Sequence, residues 1–342
     1  MKHPFVITLL LLLVAVMLSI AVGSVFIPPG ELLQAIFGHF SDPQLTTGQD
    51  NALSTASIII FQLRLPRTAL VALTGAALGG SGAAYQGLFR NPLADPYLIG
   101  VASGAGLGAV IAMSIQWPYT TAGLMAIPVA AFLSALLTAL LVYSLARVGK
   151  TAPTTNLILA GVALGSFATA LTSFLMLRSQ GDLHRAIVWL LGGGALTGWQ
   201  PVLAALPYIL AGSTVLVVMG HNLNVLQFGD EQAQQLGLPV EKIRVVIILA
   251  ASLTTAAAVA FSGIIGFVGL IIPHIIRLLW SGDYRRLVPL SIISGAWLLL
   301  FADVLARIVL APQELPVGII TALAGTPFFL WILRRAKSQA YW

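Results

Sequence analysis

Residues 228–242 read FGDEQAQQLGLPVEK and form the longest polar run between two apolar halves of the chain. In hydrocarbon every polar group needs an internal partner, so this run predicts a loop in water. Residues 231–236 are good helix formers, with Asp230 placed as an N-cap and Gly237 as a stop, which predicts a short helix outside the membrane. From composition alone, this helix is either a solvated connector or a docking element for a cytoplasmic partner.

The composition predicts an all-α polytopic membrane protein. Of the 342 residues, 58% are hydrophobic and 8% are charged, whereas soluble domains average about 25% charged residues. The apolar runs are long and continuous, without the alternation typical of a transmembrane β-barrel. The chain has no cysteine, which excludes disulfides and thiolate metal sites.

Ten apolar segments have the length of membrane helices, for which about 20 residues are typical. The first follows a basic start and could be a signal peptide, but its apolar core is long for one and many spans follow, so we expect it to be uncleaved. The eighth is short and contains Pro273, which predicts a kinked or broken helix. The predicted spans are 5–26, 65–85, 98–115, 123–145, 155–177, 200–219, 243–265, 266–279, 287–309 and 317–333.

These spans predict one transmembrane domain over residues 1–342. Helices one to six occupy 1–219, with an outer segment at 28–57, a cytoplasmic loop occupies 220–242, and helices seven to ten occupy 243–342. Within the outer segment, residues 29–37 are compatible with a short amphipathic surface helix. Two four-span bundles flank the sixth helix, one beginning outside and the other inside, so an inverted internal repeat is compatible with the pattern.

The basic residues predict the orientation. With both termini in the cytoplasm, twelve basic residues fall inside and five outside, as the positive-inside rule expects. The inner group is Lys2, Arg90, Arg147, Lys150, Lys242, Arg244, Arg277, Arg285, Arg286, Arg334, Arg335 and Lys337, and the outer group is Arg64, Arg67, Arg178, Arg185 and Arg307.

Small residues recur at four-residue spacing in several spans, a pattern that lets helix backbones approach closely in lipid. The simplest interpretation is helix packing. The examples are Gly75 and Gly79, then Gly100, Gly104 and Gly108, then Gly161 and Gly165.

The sequence offers little for chemistry within the chain. Residues 148–151, VGKT, resemble the tail of a phosphate-binding loop, but Ser144 stands where the first glycine belongs and the segment ends a membrane helix. We therefore expect no nucleotide site, and the five scattered histidines have no metal-ligand spacing.

Asp303 is the only acid well inside an apolar run. A buried aspartate at a helix centre costs about 2.5–3.5 kcal/mol on insertion scales, so a partner or a function is expected. Arg307 lies four residues on, which predicts an ion pair. The functional alternative is a proton or sodium site for secondary transport.

Arg64, Arg67 and Arg307 stand at the predicted outer ends of their helices, against the inside bias. They could anchor the chain at the membrane interface. Alternatively, they form a basic outer surface that receives acidic groups of a partner.

Six motifs resemble the FecCD-type permease family of ABC importers, whose substrates are iron–siderophore complexes, haem and cobalamin. They extend in the family's order from Arg64 to Leu333, nearly the whole chain. The motifs are RLPR at 64–67, QGLFRNPLADPYLIG at 86–100, GDEQAQQLGLP at 229–239, GFVGLIIPHIIR at 266–277, ADVLAR at 302–307 and ELPVGIITALAGTPFF at 314–329.

The resemblance implies a type II ABC importer permease fold with ten helices per subunit. It also implies a homodimer in the cytoplasmic membrane, two cytoplasmic ATPase subunits that bind ATP and magnesium, and an external substrate-binding protein. No nucleic acid, metal or cofactor bound by this chain is implied. The translocation path would lie at the dimer interface, along helices five and ten, and the resemblance favours an iron chelate as substrate, with cobalamin and haem next.

The resemblance also assigns residues. Arg64, Arg67 and Arg307 match the arginines that dock the binding protein. Asn91 and Leu93 match an inner gate, to which Thr154 and Thr155 are added by position beside LILAGVALG at 157–165. The ATPase-coupling helix matches Gly229, Asp230, Glu231, Gln232, Ala233, Gln234, Gln235, Leu236, Gly237, Leu238 and Pro239.

Two other function classes stay open from the residues themselves. The first is a secondary transporter driven by an ion through Asp303. The second is a membrane scaffold without transport, which the glycine-lined helices and outer arginines disfavour.

Overall fold

The computed structural model describes residues 3–23, 30, 57–115, 117–118, 120–149, 151–178, 183–194, 198–280 and 282–338. These residues form thirteen α-helices and no β-strand beyond one isolated bridge. The helices are α1 (Pro4–Ala21), α2 (Leu65–Leu88), α3 (Val101–Met113), α4 (Thr121–Ala146), α5 (Thr154–Arg178), α6 (Leu183–Leu190), α7 (Trp199–Val218), α8 (Gly220–Leu226), α9 (Asp230–Gln235), α10 (Val240–Ser262), α11 (Val268–Leu279), α12 (Tyr284–Ile308) and α13 (Val317–Ser338).

Each of the ten predicted spans coincides with one helix. Six described helices, α1, α4, α5, α7, α10 and α12, are long and apolar enough to cross a membrane. The shorter apolar helices α3, α11 and α13, together with the 24-residue α2, account for the other four spans. The short helices α6, α8 and α9 fall between spans. The all-α membrane fold expected from composition is confirmed.

Helix α2 lies at the centre of the described bundle, with α1, α7, α10, α11 and α12 packed around it. It crosses α12 without intervening side chains. A Cβ added to Gly75 would stand 2.2 Å from the carbonyl oxygen of Gly295, and one added to Gly79 would stand 2.2 Å from that of Ser291. The packing role predicted for small residues at four-residue spacing is therefore confirmed at this crossing.

Helix α3 is shorter than its predicted span of 98–115. A 3-10 turn, Pro96–Ile99, precedes it, and Gly100 adopts the left-handed conformation with φ of +76° before the α-helix begins. The sequence pattern did not reveal this turn, because its residues are as apolar as those of the helix that follows.

The eighth span is short, as predicted. Residues 263–267 are non-helical between α10 and α11, and Tyr97 bridges this break by donating from its hydroxyl to the carbonyl oxygen of Ile265 at 2.8 Å. Within α11, Pro273 has no N–H to donate to the preceding turn. The Gln86 side-chain amide of α2 donates to the Leu270 carbonyl oxygen at 3.1 Å, which supplies a donor beside this defect.

Most of the predicted outer segment at 28–57, with the amphipathic helix expected over 29–37, lies outside the described residues. The division into one domain with two flanking bundles and an inverted repeat stays a prediction.

Candidate functional site

Helix α9 lies in the polar run between the two halves of the chain. Gly229 precedes it with φ of +101°, and Asp230 is the first helical residue. The prediction of Asp230 as a side-chain N-cap is wrong, because its carboxylate turns instead to the guanidinium groups of Arg244, at 2.6 Å, and Arg90, at 3.6 Å. Two arginines outside the helix compete successfully with the helix's own N–H groups for this carboxylate.

The predicted stop of α9 at Gly237 is confirmed. Gly237 has φ of +86° and donates to the Gln234 carbonyl oxygen at 2.9 Å, while the Leu238 N–H donates to the Ala233 carbonyl oxygen at 3.0 Å. This pair of bonds is a Schellman motif, which satisfies carbonyl groups at a helix end.

Most of the predicted coupling stretch faces outwards. Ala233 is fully buried and anchors the helix. Exposed apolar side chains flank it at Phe228, 65% exposed, and Leu236, 69% exposed. The polar exposed residues between and beyond them are Glu231, Gln232, Gln234 and Gln235, followed by Gly237 and Pro239. The result is a small protruding surface of polar and apolar side chains, which the buried Ala233 anchors to the rest of the protein.

Arg90, Asp230, Glu241 and Arg244 form an ion-pair group that we call the loop cluster. Arg244 is buried, with 4% of its side chain exposed, and pairs with both Asp230 and Glu241. The Glu241 carboxylate also accepts a hydrogen bond from the backbone N–H of Ala152 at 3.4 Å. The cluster therefore ties α9 to α10 and to the loop that precedes α5.

The loop cluster reaches both predicted gate segments. Arg90 directly precedes Asn91, and Ala152 lies two residues before Thr154, the first residue of α5. Asn91 is exposed and its side-chain oxygen accepts from the Leu93 N–H at 2.9 Å, which fixes a turn after α2. Among the described residues, no hydrogen bond or ion pair joins this turn directly to Thr154 or Thr155.

Arg64, Arg67, Asp303, Arg307 and Glu314 form a second group at the other end of α2, which we call the arginine cluster. Asp303, with 1% of its side chain exposed, pairs with Arg67 at 2.9 Å and with Arg307 at 3.0 Å. The ion pair between Asp303 and Arg307 is thus confirmed. Arg67 also pairs with Glu314 at 2.6 Å.

The arginine cluster also binds the carboxyl end of α1. Arg64 donates to the carbonyl oxygens of Ile20, at 2.7 Å, and Ala21, at 3.0 Å. Arg307 donates to those of Ser19, at 3.1 Å, and Val22, at 2.8 Å. These are the carbonyl groups that a helix leaves unsatisfied at its end. Two of the three predicted docking arginines therefore have a structural task within the chain.

Exposure separates the three arginines. Arg64 is 8% exposed and Arg307 is 4% exposed, whereas the Arg67 side chain is 35% exposed. The docking role assigned from resemblance stays a prediction, and Arg67 is the arginine placed best to meet a partner. Reasoning from the sequence missed Glu314, although it opens the motif ELP at 314–316, and it missed Arg90, Glu241 and Arg244 as partners of the polar run.

Two carboxyl groups between spans have shifted pKa values. Hydrogen bonds from Arg285, and then from Asn224, hold the pKa of Asp283 well below its ordinary value. Burial raises the pKa of Asp95 from 3.8 to about 6. The hydrogen bond that its carboxylate accepts from the Tyr97 N–H at 2.8 Å acts in the opposite direction and lowers this pKa. In the described part of the chain, no group of three histidine, aspartate or glutamate side chains could hold a metal ion.

Comparisons with known proteins agree across the chain. A family model described as the FecCD transport family matches residues 11–335. An ABC transporter permease of Bacillus subtilis, YvrB, is 43% identical, with 95% of this chain and 91% of that protein covered. The cobalamin import system permease of Halobacterium salinarum is 41% identical, with 94% and 87% covered.

A solved structure described as an inward-facing conformation of a metal-chelate type ABC transporter is also similar. Its TM-score is 0.79 at 31% identity, with 97% of this chain and 98% of that chain covered.

Proposed function

The chain belongs to the FecCD transport family and is a permease of an ABC importer, and from that premise we propose its partners, its coupling and its substrate. The observation that carries the proposal is the protruding helix α9, which is exposed on its outer side and tied by ion pairs to the loops at the same end of the bundle. Such a helix suits a partner that pushes on it from the cytoplasm.

We propose that α9 docks in a cleft of an ABC ATPase subunit. Residues 229–239 supply the contact surface, and the exposed side chains of Phe228 and Leu236 add apolar area. ATP and magnesium bind to the ATPase subunit and not to this chain. The permease is non-catalytic and transmits the motion of its partner.

The loop cluster supports a route from α9 to the inner gate. A shift of α9 moves Asp230, and Asp230 pulls on Arg90 beside Asn91 and on the buried Arg244. Arg244 holds Glu241, which accepts from the Ala152 N–H before Thr154. In this proposal the two gate segments move together, because α9 is connected through the loop cluster to the residues that precede both of them. The segments are Asn91 with Leu93 and Thr154 with Thr155.

The arginine cluster supports the docking of an external substrate-binding protein. It combines three arginines with two carboxylates, which leaves one net positive charge at this end of the bundle. Acidic groups on a binding protein would be attracted to that surface. Arg67 makes the direct contact, while Arg64 and Arg307 hold α1 and α12 in place beneath it.

We further propose a homodimer in the cytoplasmic membrane, with both termini inside. Helices α5 and α13 line the translocation path between the two subunits. Helix α5 supports this, because only 22% of its apolar window is buried within the chain. Its exposed side also carries the hydroxyl groups of Ser166, Thr169 and Ser173. Those of Thr169 and Ser173 donate to carbonyl oxygens of the same helix, at 2.8 and 3.0 Å, and their oxygens can still accept hydrogen bonds from water.

For the substrate we propose a large metal complex. Cobalamin is the first candidate, since a relative 41% identical over nearly the whole chain is described as a cobalamin import permease. An iron chelate is the second, favoured by the similarity to a metal-chelate type transporter. Haem is the remaining alternative of the same chemical class.

The geometry disfavours an ion-driven transporter. Both carboxylate oxygens of Asp303 contact arginine nitrogens, at 2.9 Å from Arg67 and 3.0 Å from Arg307. A carboxylate between two guanidinium groups is a poor site for a transported proton or sodium ion.

The decisive experiment is purification of the chain from its native membranes, followed by reconstitution with any ATPase and binding protein that accompany it. We expect a co-purifying ATPase, and uptake into proteoliposomes that requires internal ATP. Labelled cobalamin and a labelled ferric siderophore are compared in the same vesicles. Uptake without an ATPase partner, driven by an ion gradient and abolished by Asp303→Asn, would overturn the proposal.

A second measurement separates the two partner surfaces. Substitutions of the exposed residues Glu231 and Gln235 should change the stimulation of ATP hydrolysis without changing the affinity for the binding protein. Loss of binding-protein affinity in these variants would contradict the assignment of α9 to the ATPase.

A further inference from the structure

We propose that Glu314 is an internal competitor, which occupies Arg67 in the free permease and leaves it when a carboxylate of the binding protein docks. This inference rests on the proposed docking of a binding protein at the arginine cluster. It adds a residue that sets the affinity of that contact. It also predicts that removing the Glu314 carboxylate strengthens docking.

The guanidinium of Arg67 is occupied on two sides with different exposure. Its Nε and Nη2 donate to Asp303 at 3.1 and 2.9 Å, and that carboxylate is almost fully enclosed. Its Nη1 donates to Glu314 at 2.6 Å, and 42% of the Glu314 side chain is exposed. An incoming acidic group cannot reach the enclosed side. It meets the side that Glu314 already holds.

The two pairs differ in what their opening costs. Separating Arg67 from Asp303 would leave a buried carboxylate short of a partner, which is expensive. Separating Arg67 from Glu314 releases a side chain that water can solvate at once, and exposed pairs of this kind contribute little to stability. The pair with Glu314 is therefore the one that exchanges.

The backbone keeps Glu314 close to Arg67. The N–H of the next residue, Leu315, donates to the carbonyl oxygen of Ala306 at 3.0 Å, which fixes the loop after α12 beside Arg307. A competitor attached to the same chain acts at a high effective concentration. It therefore weakens docking without abolishing it, and it speeds the release of the binding protein by replacing the departing carboxylate.

The test uses the complete permease–ATPase complex in nanodiscs and its purified binding protein. The dissociation constant is measured at low and high salt for wild type, Glu314→Gln, Arg67→Gln and the double variant. Gln313→Ala, an exposed neighbour on the same loop, controls for loop perturbation. Elution as an intact complex confirms that each variant is folded.

We expect Glu314→Gln to tighten docking by about threefold to tenfold at low salt, because the competitor is gone and the surface gains a net positive charge. Arg67→Gln should weaken docking, and Gln313→Ala should leave it unchanged. In the Arg67→Gln background, Glu314→Gln should keep only the small part of its tightening that comes from the added net charge, since competition acts through Arg67.

The outcomes separate the inference from the function on which it rests. If Arg67→Gln weakens docking and Glu314→Gln does not tighten it, the docking surface stands and the competitor is overturned. Tightening of undiminished size without Arg67 would also overturn it, because the change in net charge would then account for the whole effect. If Arg67→Gln leaves docking unchanged, the docking surface fails and the competitor fails with it.

Discussion

At one end of α2, Asp303 holds Arg67 and Arg307 with 1% of its side chain exposed. At the other end, Asp230 holds Arg244 and Arg90 with 40% of its side chain exposed. The first carboxylate is a fixed point of the packing, and the second belongs to a helix that protrudes from the bundle. Similar ion pairs therefore serve as an anchor at one end and, in the proposed coupling, as a movable connection at the other.

The charge balance of the two clusters also differs. The arginine cluster has three arginines and two carboxylates, whereas the loop cluster has two arginines, Arg90 and Arg244, and two carboxylates. The first carries a net charge of plus one and the second is neutral. Long-range attraction of a partner is therefore expected at the first, and short-range contact with mixed side chains at the second.

The largest effect is expected from Asp303→Asn. This change leaves the buried Arg307 and the partly exposed Arg67 without their shared carboxylate, and breaking a buried pair typically costs about 3–5 kcal/mol. We expect a large fall in the yield and thermal stability of the purified protein. Glu231→Gln, at the exposed surface of α9, should leave the stability unchanged. A stable Asp303→Asn protein would show that the arginine cluster is not an anchor.

A smaller effect, on coupling instead of stability, is expected from Asp230→Asn. The change weakens the bonds of α9 to Arg90 and Arg244 while keeping the shape of the side chain. ATP hydrolysis stimulated by the binding protein should fall by about fivefold to tenfold, equivalent to about 1–1.4 kcal/mol, with docking of both partners retained. Arg286→Gln removes an exposed charge from the same end and serves as the control. Normal stimulation in Asp230→Asn would break the proposed route to the gate.

Salt should distinguish the two docking surfaces. Raising the ionic strength from about 50 mM to about 500 mM screens exposed charges, so the affinity for the binding protein should fall by about tenfold. The affinity for the ATPase should change by no more than about twofold to threefold, because the loop cluster is neutral and the exposed surface of α9 is partly apolar. Both affinities can be followed on one immobilised complex. If the two affinities depended equally on salt, the proposed difference between a charged docking surface and a neutral one would be wrong.

The last prediction concerns Asp95, whose carboxylate is held by the Tyr97 backbone N–H and not by a charge-balanced cluster. Its raised pKa means that the folded state keeps a proton that the unfolded state releases between pH 3.8 and about 6. This stabilisation is present below pH 3.8 and is lost as the pH rises through about 6. Relative to Asp95→Asn, the melting temperature of the wild type should therefore fall by a few degrees over this interval. If the melting temperatures of the wild type and Asp95→Asn changed in parallel with pH, the raised pKa would not belong to Asp95.

Hydropathy was sufficient to predict ten membrane helices, because each span needs a long apolar run whatever its neighbours are. The same pattern could not show that residues 96–99 form a 3-10 turn or that α9 begins at Asp230. Those details depend on Gly100 and Gly229, which both adopt positive φ, and on Arg244, which reaches Asp230 only after the chain has folded back.

For the candidate sites, the sequence was sufficient to predict a contact within one helix but not the contacts between distant segments. The pair of Asp303 with Arg307 follows from four-residue spacing along one helix and was found. The contacts of Arg67 with Asp303 and Glu314 join residues more than 230 positions apart, and no local pattern reports them. The burial of Arg64 and Arg307 likewise depends on the carbonyl groups of α1, which sequence spacing cannot place beside them.

The crossing of α2 and α12 through Gly75, Gly79 and Gly295 has a mechanical consequence. Helices in direct backbone contact leave no side chains between them to rearrange, so we expect this pair to move as a single rigid unit. Its α2 arm has 24 residues, a length of about 36 Å. Pivoting that arm by about 5° at the end holding Arg67 would displace the end near Arg90 by about 3 Å. An ångström-scale displacement at the proposed gate would therefore require only a slight tilt, with no change in the length or register of either helix.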